Sequence, residues 1–261
     1  MLELYQFELS HYCEKVRFVL DYKGLPYRKI EVVPGLGQWD LYRLSGQRQV
    51  PVLRDGATVI ADSTAIVRHL EQQYPDRPVI PTDSPQQGLC WLLEEWADAS
   101  LGVKGRIALL GSLGKNPALA KALIPEQTPP ALRQPLEGWM DSWLAPRPGG
   151  FGADWLPWLG AGLGLETPDQ VLADLRQDLS ALCQILKEQP FLVTDSPTLA
   201  DFAVAGLSLY LKFPQTPALK IPPALQGQGI PGVADDPQFE SFFAWRDRLY
   251  GNYRVHHTHH G

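Results

Sequence analysis

The chain has 261 residues, 44% apolar, 20% charged and 10% aromatic, with a formal net charge of −6. That is apolar material for one large core or two smaller ones, which excludes a wholly disordered chain. The charge excess is acidic and no Lys/Arg block occurs, which argues against a nucleic-acid or anionic-membrane surface.

Residues 1–80 hold ten Lys/Arg against ten Asp/Glu, and the remainder carries the whole acidic excess. The hydrophobic period also changes along the chain, so two domains are expected. Leu2–Phe7 alternates as a short strand, with Leu2, Leu4 and Gln6 on one face. Val16, Val19, Leu20 and Lys23 then mark a helix that stops at Gly24. Tyr27–Val33 is β-rich and ends at Pro34–Gly37; a short helix is expected near Gln38–Leu44. Pro51–Arg54 and Thr58–Ala61 read as a hairpin around Asp55-Gly56, and Ser63–Tyr74 as a helix capped by Asp62. The order β-α-β-α-β-β-α implies a mixed sheet flanked by helices.

Pro75–Pro85 is a proline-rich connector, which places one domain at residues 1–77 and a second at 86–261. The second reads as all-α. Leu89, Leu92, Leu93, Trp96, Ser100 and Val103 form one helical stripe. A capping box at Thr167–Gln170 opens a second helix striped by Val171, Leu172, Leu175, Leu179, Leu182 and Leu186. Another box, Thr198–Asp201, opens Phe202–Phe213, and Phe239, Phe242, Phe243 and Arg246 begin a last helix. Irregular zones are expected at Pro146–Gly164 and Pro214–Pro237.

Three places could carry chemistry. Ser10 stands where the first strand turns into the first helix, among unsatisfied N–H groups and at the positive end of the helix dipole; it is a cap, an anion-stabilising hydroxyl, or both. Pro51 opens an apolar strand after Val50; a cis bond there would turn Val50's backbone groups outward to pair with an extended ligand, and a trans bond would not. Asp62-Ser63 at another helix N-terminus is either a plain cap or a receiver for the zwitterionic end of an amino acid.

The order S-x-x-C-x-K-V-R (Ser10–Arg17), then V-P-V-L (Val50–Leu53), then D-S (Asp62-Ser63) resembles the glutathione S-transferase superfamily, over about the first 80 residues. The resemblance implies a thioredoxin-like α+β domain with a mixed four-stranded sheet, followed by an all-α helical bundle that closes the electrophile side. It implies a serine-type transferase that activates the glutathione thiolate for attack on a small, apolar electrophile. Glutathione would be the co-substrate, with no metal, no nucleic acid and no membrane span, and the chain would form a homodimer with a role in detoxification.

By position, Ser10 matches the hydroxyl that bonds the glutathione sulfur and Pro51 the cis-proline. Val50 matches the residue pairing with the cysteinyl unit, Asp62 and Ser63 the pair taking the γ-glutamyl end, and Gln49 its neighbour. No motif assigns the glycyl carboxylate, for which Arg48 and Lys15 are available. Cys13 sits in the resolving position of cysteine-type relatives, which leaves two alternatives: an oxidoreductase using Cys13, or a non-catalytic ligand-binding or scaffold member. His11 departs from the proline common after the catalytic residue.

The other signals are weaker. Trp139, Trp143, Trp155 and Trp158 could line an apolar pocket or simply pack. His256, His257, His259 and His260 read as a solvated tail. Gly160–Gly164 lacks the strand and Lys-Ser/Thr of a phosphate loop. Three separated cysteines (Cys13, Cys90, Cys183) speak against a disulfide framework, and Glu3 and Glu8 stand where a secretory leader would be basic and then apolar. A cytoplasmic location is the expectation.

Overall fold

The structure, a computed structural model, describes residues 1–32, 37–113 and 168–254. The expectations for Pro146–Gly164, the four tryptophans, Gly160–Gly164, Thr167 and the histidine tail lie outside these residues.

β1 (Leu2–Gln6) leads into α1 (His11–Lys23), β2 (Tyr27–Glu31), α2 (Gln38–Ser45), β3 (Val52–Asp55), β4 (Thr58–Ala61) and α3 (Ser63–Gln73). The sheet order is β2-β1-β3-β4, with β1 and β2 parallel and the other pairs antiparallel. This is the expected thioredoxin-like arrangement. On β1 the alternation holds: Leu2, Leu4 and Gln6 are buried while Glu3 and Tyr5 are only partly covered. Helix α1 ends where Gly24 turns left-handed at φ 69° and its N–H returns to Leu20 and Asp21 carbonyls. The hairpin loop is Gly56-Ala57, not Asp55-Gly56. Asp55 is the last strand residue, opposite Thr58, and its carboxylate accepts from Tyr74 Oη at 3.0 Å and pairs with His69 Nε2 at 3.0 Å.

Past a connector, every described helix belongs to the second layer. α4 spans Ser84–Trp96 with Asp83 as its cap, so Ser84 and Pro85 belong to the helix rather than to the connector. A π-helical turn, Ala97–Leu101, joins it to α5 (Gly102–Leu113). α6 (Pro168–Glu188), α7 (Leu199–Leu207) and, after a 3₁₀ turn at Pro237–Phe239, α8 (Glu240–Tyr253) follow. The expected α6 stripe is the buried one, with Val171, Leu175 and Leu179 fully covered. α7 stops at Leu207, short of the expected Phe213, and turns carry the chain onward.

The α4 stripe is a correction. Leu89 and Leu92 are 43% and 66% exposed, and the buried seam is Cys90, Glu94, Ala97 and Leu101. Apolarity alone turns Glu94 outward. Here Glu94 faces inward because the Lys15 ammonium of α1 meets it at 2.6 Å, and this rotates the helix.

The two layers meet where α7 crosses α1. A Cβ on Gly206 would lie 2.7 Å from the Lys15 amide nitrogen, so only glycine permits this approach. Ion pairs close the same seam. Arg17 meets Glu14 at 2.5 Å, Arg254 at the end of α8 meets Glu14 at 2.8 Å and also pairs with Asp21, and Arg17 Nη1 donates to Gln6 at 2.6 Å. Both cations and both acids of this set are nearly excluded from water, so removing one partner would strand a buried charge.

Candidate active site

Between the layers lies a cleft of about 970 Å³, open to solvent, whose lining includes Ser10, Gln49, Val50, Pro51, Asp62 and Ser63. The fold thus brings together residues that are up to 53 positions apart in sequence.

Ser10 is the N-cap of α1, with extended backbone, and its Oγ accepts from the Cys13 N–H at 3.3 Å. The first-turn amides of His11 and Tyr12 have no intrahelical acceptor, as at any helix start. A sulfur anion beside Ser10 would meet an O–H donor and the positive end of the α1 dipole. Cap and anion-stabilising hydroxyl are here compatible roles.

The Val50-Pro51 bond is cis. Among the described residues no hydrogen bond uses the Val50 N–H or C=O, and Gln49 and Arg48 are exposed beside it. The Arg48 guanidinium lies over the rings of Trp39 and Tyr42, at 5.1 and 5.6 Å from their centroids. Of the two cations available for a carboxylate, Arg48 lines the cleft, whereas Lys15 is fully buried beneath it.

Asp62 caps α3 by accepting from the Ala65 N–H at 2.9 Å, from a backbone with φ 82°. An aspartate held in that region costs about 1–3 kcal/mol, which the surrounding contacts must supply. Ser63 is buried and opens α3. Beneath it stands a group the sequence reading missed. Asp98, in the π turn, accepts from Lys15 Nζ at 2.7 and 2.8 Å, from Thr64 Oγ1 at 3.3 Å, and, at the limit of bonding, from Ser63 Oγ at 3.5 Å. Tyr12 Oη donates to the Asp98 carbonyl at 3.0 Å. Burial raises the Asp98 pKa, and Lys15 opposes the rise. The pair of carboxylates, Asp62 and Asp98, and the amides at the start of α3 can receive an ammonium and a carboxylate together. Glu94 and Asp98 at i and i+4 of a helix otherwise reading as apolar were the available signal. Their inward facing depends on Lys15 from another element.

Cys13 is elsewhere. It is fully buried, outside the cleft lining, and desolvation pushes its thiol up to about 11. That environment suits an inert packing thiol, so the redox alternative finds no support in this geometry. Among the described residues no cluster of three or more His, Cys, Asp or Glu is placed to hold a metal ion, and no helix is long and apolar enough to cross a membrane.

Comparison with known proteins agrees with this layout. The zeta-class glutathione S-transferase of Euphorbia esula is 30% identical over 118 residues, 44% of this chain and 52% of that protein. This chain spans about half the length, or less, of the first curated relatives it matches. The β-etherase LigF from Sphingobium sp. strain SYK-6 superposes with TM-score 0.64 at 21% identity, covering 95% of this chain and 94% of that one. A theta-class transferase from Xanthomonas axonopodis pv. citri, solved with glutathione bound, superposes with TM-score 0.58 at 17% identity over 97% of both chains. Residues 4–78 match the glutathione S-transferase N-terminal domain and residues 162–229 the C-terminal domain, together more than half of the sequence. With the sheet order, the helical second layer and the cleft between them, these matches establish that the chain belongs to the glutathione S-transferase superfamily.

Proposed function

We propose that the chain is a serine-type glutathione transferase. The observation that carries this reading is the convergence of Ser10, Val50-Pro51 and Asp62-Ser63 on the lining of one cleft. Ser10 Oγ donates to the thiolate, Val50 pairs with the cysteinyl unit, and Asp62, Ser63 and Gln49 hold the glutamyl end. The thiol proton leaves to solvent, the thiolate forms a C–S bond to the electrophile, and the leaving group departs with its electron pair.

A free thiol near pKa 8.5 is only a few per cent ionised at neutral pH, so stabilising the anion is the catalytic task. Lowering that pKa by about two requires roughly 2.7 kcal/mol, within reach of one hydrogen bond to a charged acceptor plus a dipole contribution. The proposed setting is a cytoplasmic homodimer acting on small electrophiles in detoxification, with one domain at residues 1–77 and the other at 86–261.

Retention on immobilised glutathione with elution by free glutathione, combined with turnover of an activated aryl halide, tests the reading. Retention without turnover would favour the non-catalytic binding alternative. Absence of both would end the proposal. Reduction of a hydroxyethyl disulfide without conjugation would revive the Cys13 alternative, against the burial of that thiol.

A further inference from the structure

The cleft continues beyond the groups assigned to the tripeptide, to Phe7, His11, Tyr12, Arg106 and Tyr210. His11 touches two of the other rings: it lies 4.3 Å from Tyr12 and 4.5 Å from Tyr210, centroid to centroid. His11 is 3% exposed, and neither ring nitrogen has a hydrogen-bond partner among the described residues. Gly102 leaves room for it, since a Cβ there would come within 3.2 Å of the imidazole. Burial, and the charge of Arg106, lower its pKa to about 3, so the ring is neutral at working pH. Positive charge on this wall therefore comes from Arg106.

The three arginines of the cleft differ in their partners. Arg48 covers Trp39 and Tyr42, and Arg68 lies 4.5 Å from the Trp91 centroid. Arg106 is exposed, and among the described residues no carboxylate pairs with it and no ring lies beneath it. Its charge nonetheless reaches His11, Tyr12 and Tyr210, opposing the rise in the pKa of both tyrosines. A guanidinium bordering an aromatic wall presents a fork of donors to a carboxylate and a flat surface to a conjugated plane.

We propose that the second substrate is a planar, conjugated electrophile bearing a carboxylate, its plane against His11, Tyr12 and Tyr210 and its anion on Arg106. This rests on the glutathione transferase reading and narrows it: a neutral aliphatic electrophile leaves Arg106 without a counterpart.

Calorimetric binding of S-benzylglutathione and S-(4-carboxybenzyl)glutathione tests it without turnover. The unmodified protein is expected to bind the carboxylated conjugate about ten-fold more tightly, a gap typical of one charge-assisted contact near solvent. Arg106→Gln should bring that ratio close to one, and Arg106→Lys should keep part of it. Equal affinity for both conjugates, or a ratio that survives Arg106→Gln, overturns the inference and leaves the transferase reading standing. If neither conjugate nor glutathione itself binds, both fall together.

Discussion

Replacing Ser10 by alanine removes two contacts of one oxygen, and the structure separates their consequences. The first is the hydroxyl proton proposed to reach the glutathione sulfur. A hydrogen bond to a charged acceptor contributes about 1.5–3 kcal/mol. Its loss should raise the pKa of the bound thiol by about one to two and lower kcat/KM by about 10- to 150-fold. The dipole of α1 remains, so some depression of the thiol pKa should persist. The second contact is the cap, in which Oγ accepts from the Cys13 N–H at 3.3 Å. Losing an N-cap costs about 1 kcal/mol, or about 2–4 °C in Tm for a chain of this size.

Glycine at the same place costs a cap only a few tenths of a kcal/mol. Ser10→Gly should therefore match Ser10→Ala in the thiol titration and kcat/KM while melting close to the parent. The assay is the ultraviolet absorbance of the bound thiolate against pH, run beside steady-state conjugation and a thermal melt. If both variants titrate and turn over like the parent, Ser10 is only a cap and the proposed mechanism is wrong.

Three further outcomes are expected. Native-state alkylation should label Cys183, which is partly exposed, well before Cys13 and Cys90, whose thiols burial raises to about 11; rapid labelling of Cys13 would refute its burial. His11 has a folded pKa of about 3 against 6.5 unfolded, so the unfolded chain takes up a proton that the folded one excludes. The stability this contributes is complete above pH 6.5 and is lost as pH falls toward 3, by about 1.4 kcal/mol per pH unit, or roughly 2 kcal/mol by pH 5. Arg106, Tyr12 and Tyr210 face the ring, and burial raises the pKa of both tyrosines, away from that window. Urea midpoints from pH 7 to 5 should accordingly fall less in His11→Gln than in the parent, and parallel curves would refute the assignment. Gly206→Ala should destabilise by about 1–3 kcal/mol, because the new Cβ would meet the Lys15 backbone at 2.7 Å. A denaturant midpoint equal to the parent's would mean α7 and α1 are not packed so closely.

Local pattern carried much of this protein. Each strand and helix of residues 2–73 has a period, cap or breaker visible in the chain itself, such as Gly24 after α1 and Asp62 before α3. The motif order also led to the six residues that line one cleft. Boundaries were weaker where two rules competed. Asp55-Gly56 reads as a hairpin loop, yet Asp55 stays in β3 because His69 and Tyr74, from and just after the next helix, hold its carboxylate.

Contacts between distant elements were invisible to such patterns. Leu89 and Leu92 read as the buried side of α4 until Lys15 is set against Glu94 and Asp98. Likewise Arg106 and His11, 95 residues apart, look like a surface charge and an odd helix start; only in the folded chain do they border one cleft.

The amino-acid order by itself determined the periodic elements of residues 2–73, helix ends such as Gly24 and Asp62, and the three short motifs, because backbone propensity, capping and alternation act within a few residues of their cause. Tertiary structure alone decided that Glu94 turns inward, that Cys13 is sealed from the cleft, and that Asp98 lies beneath Ser63. Burial of a charge is settled by the partner it meets, and here that partner arrives from 79 residues away.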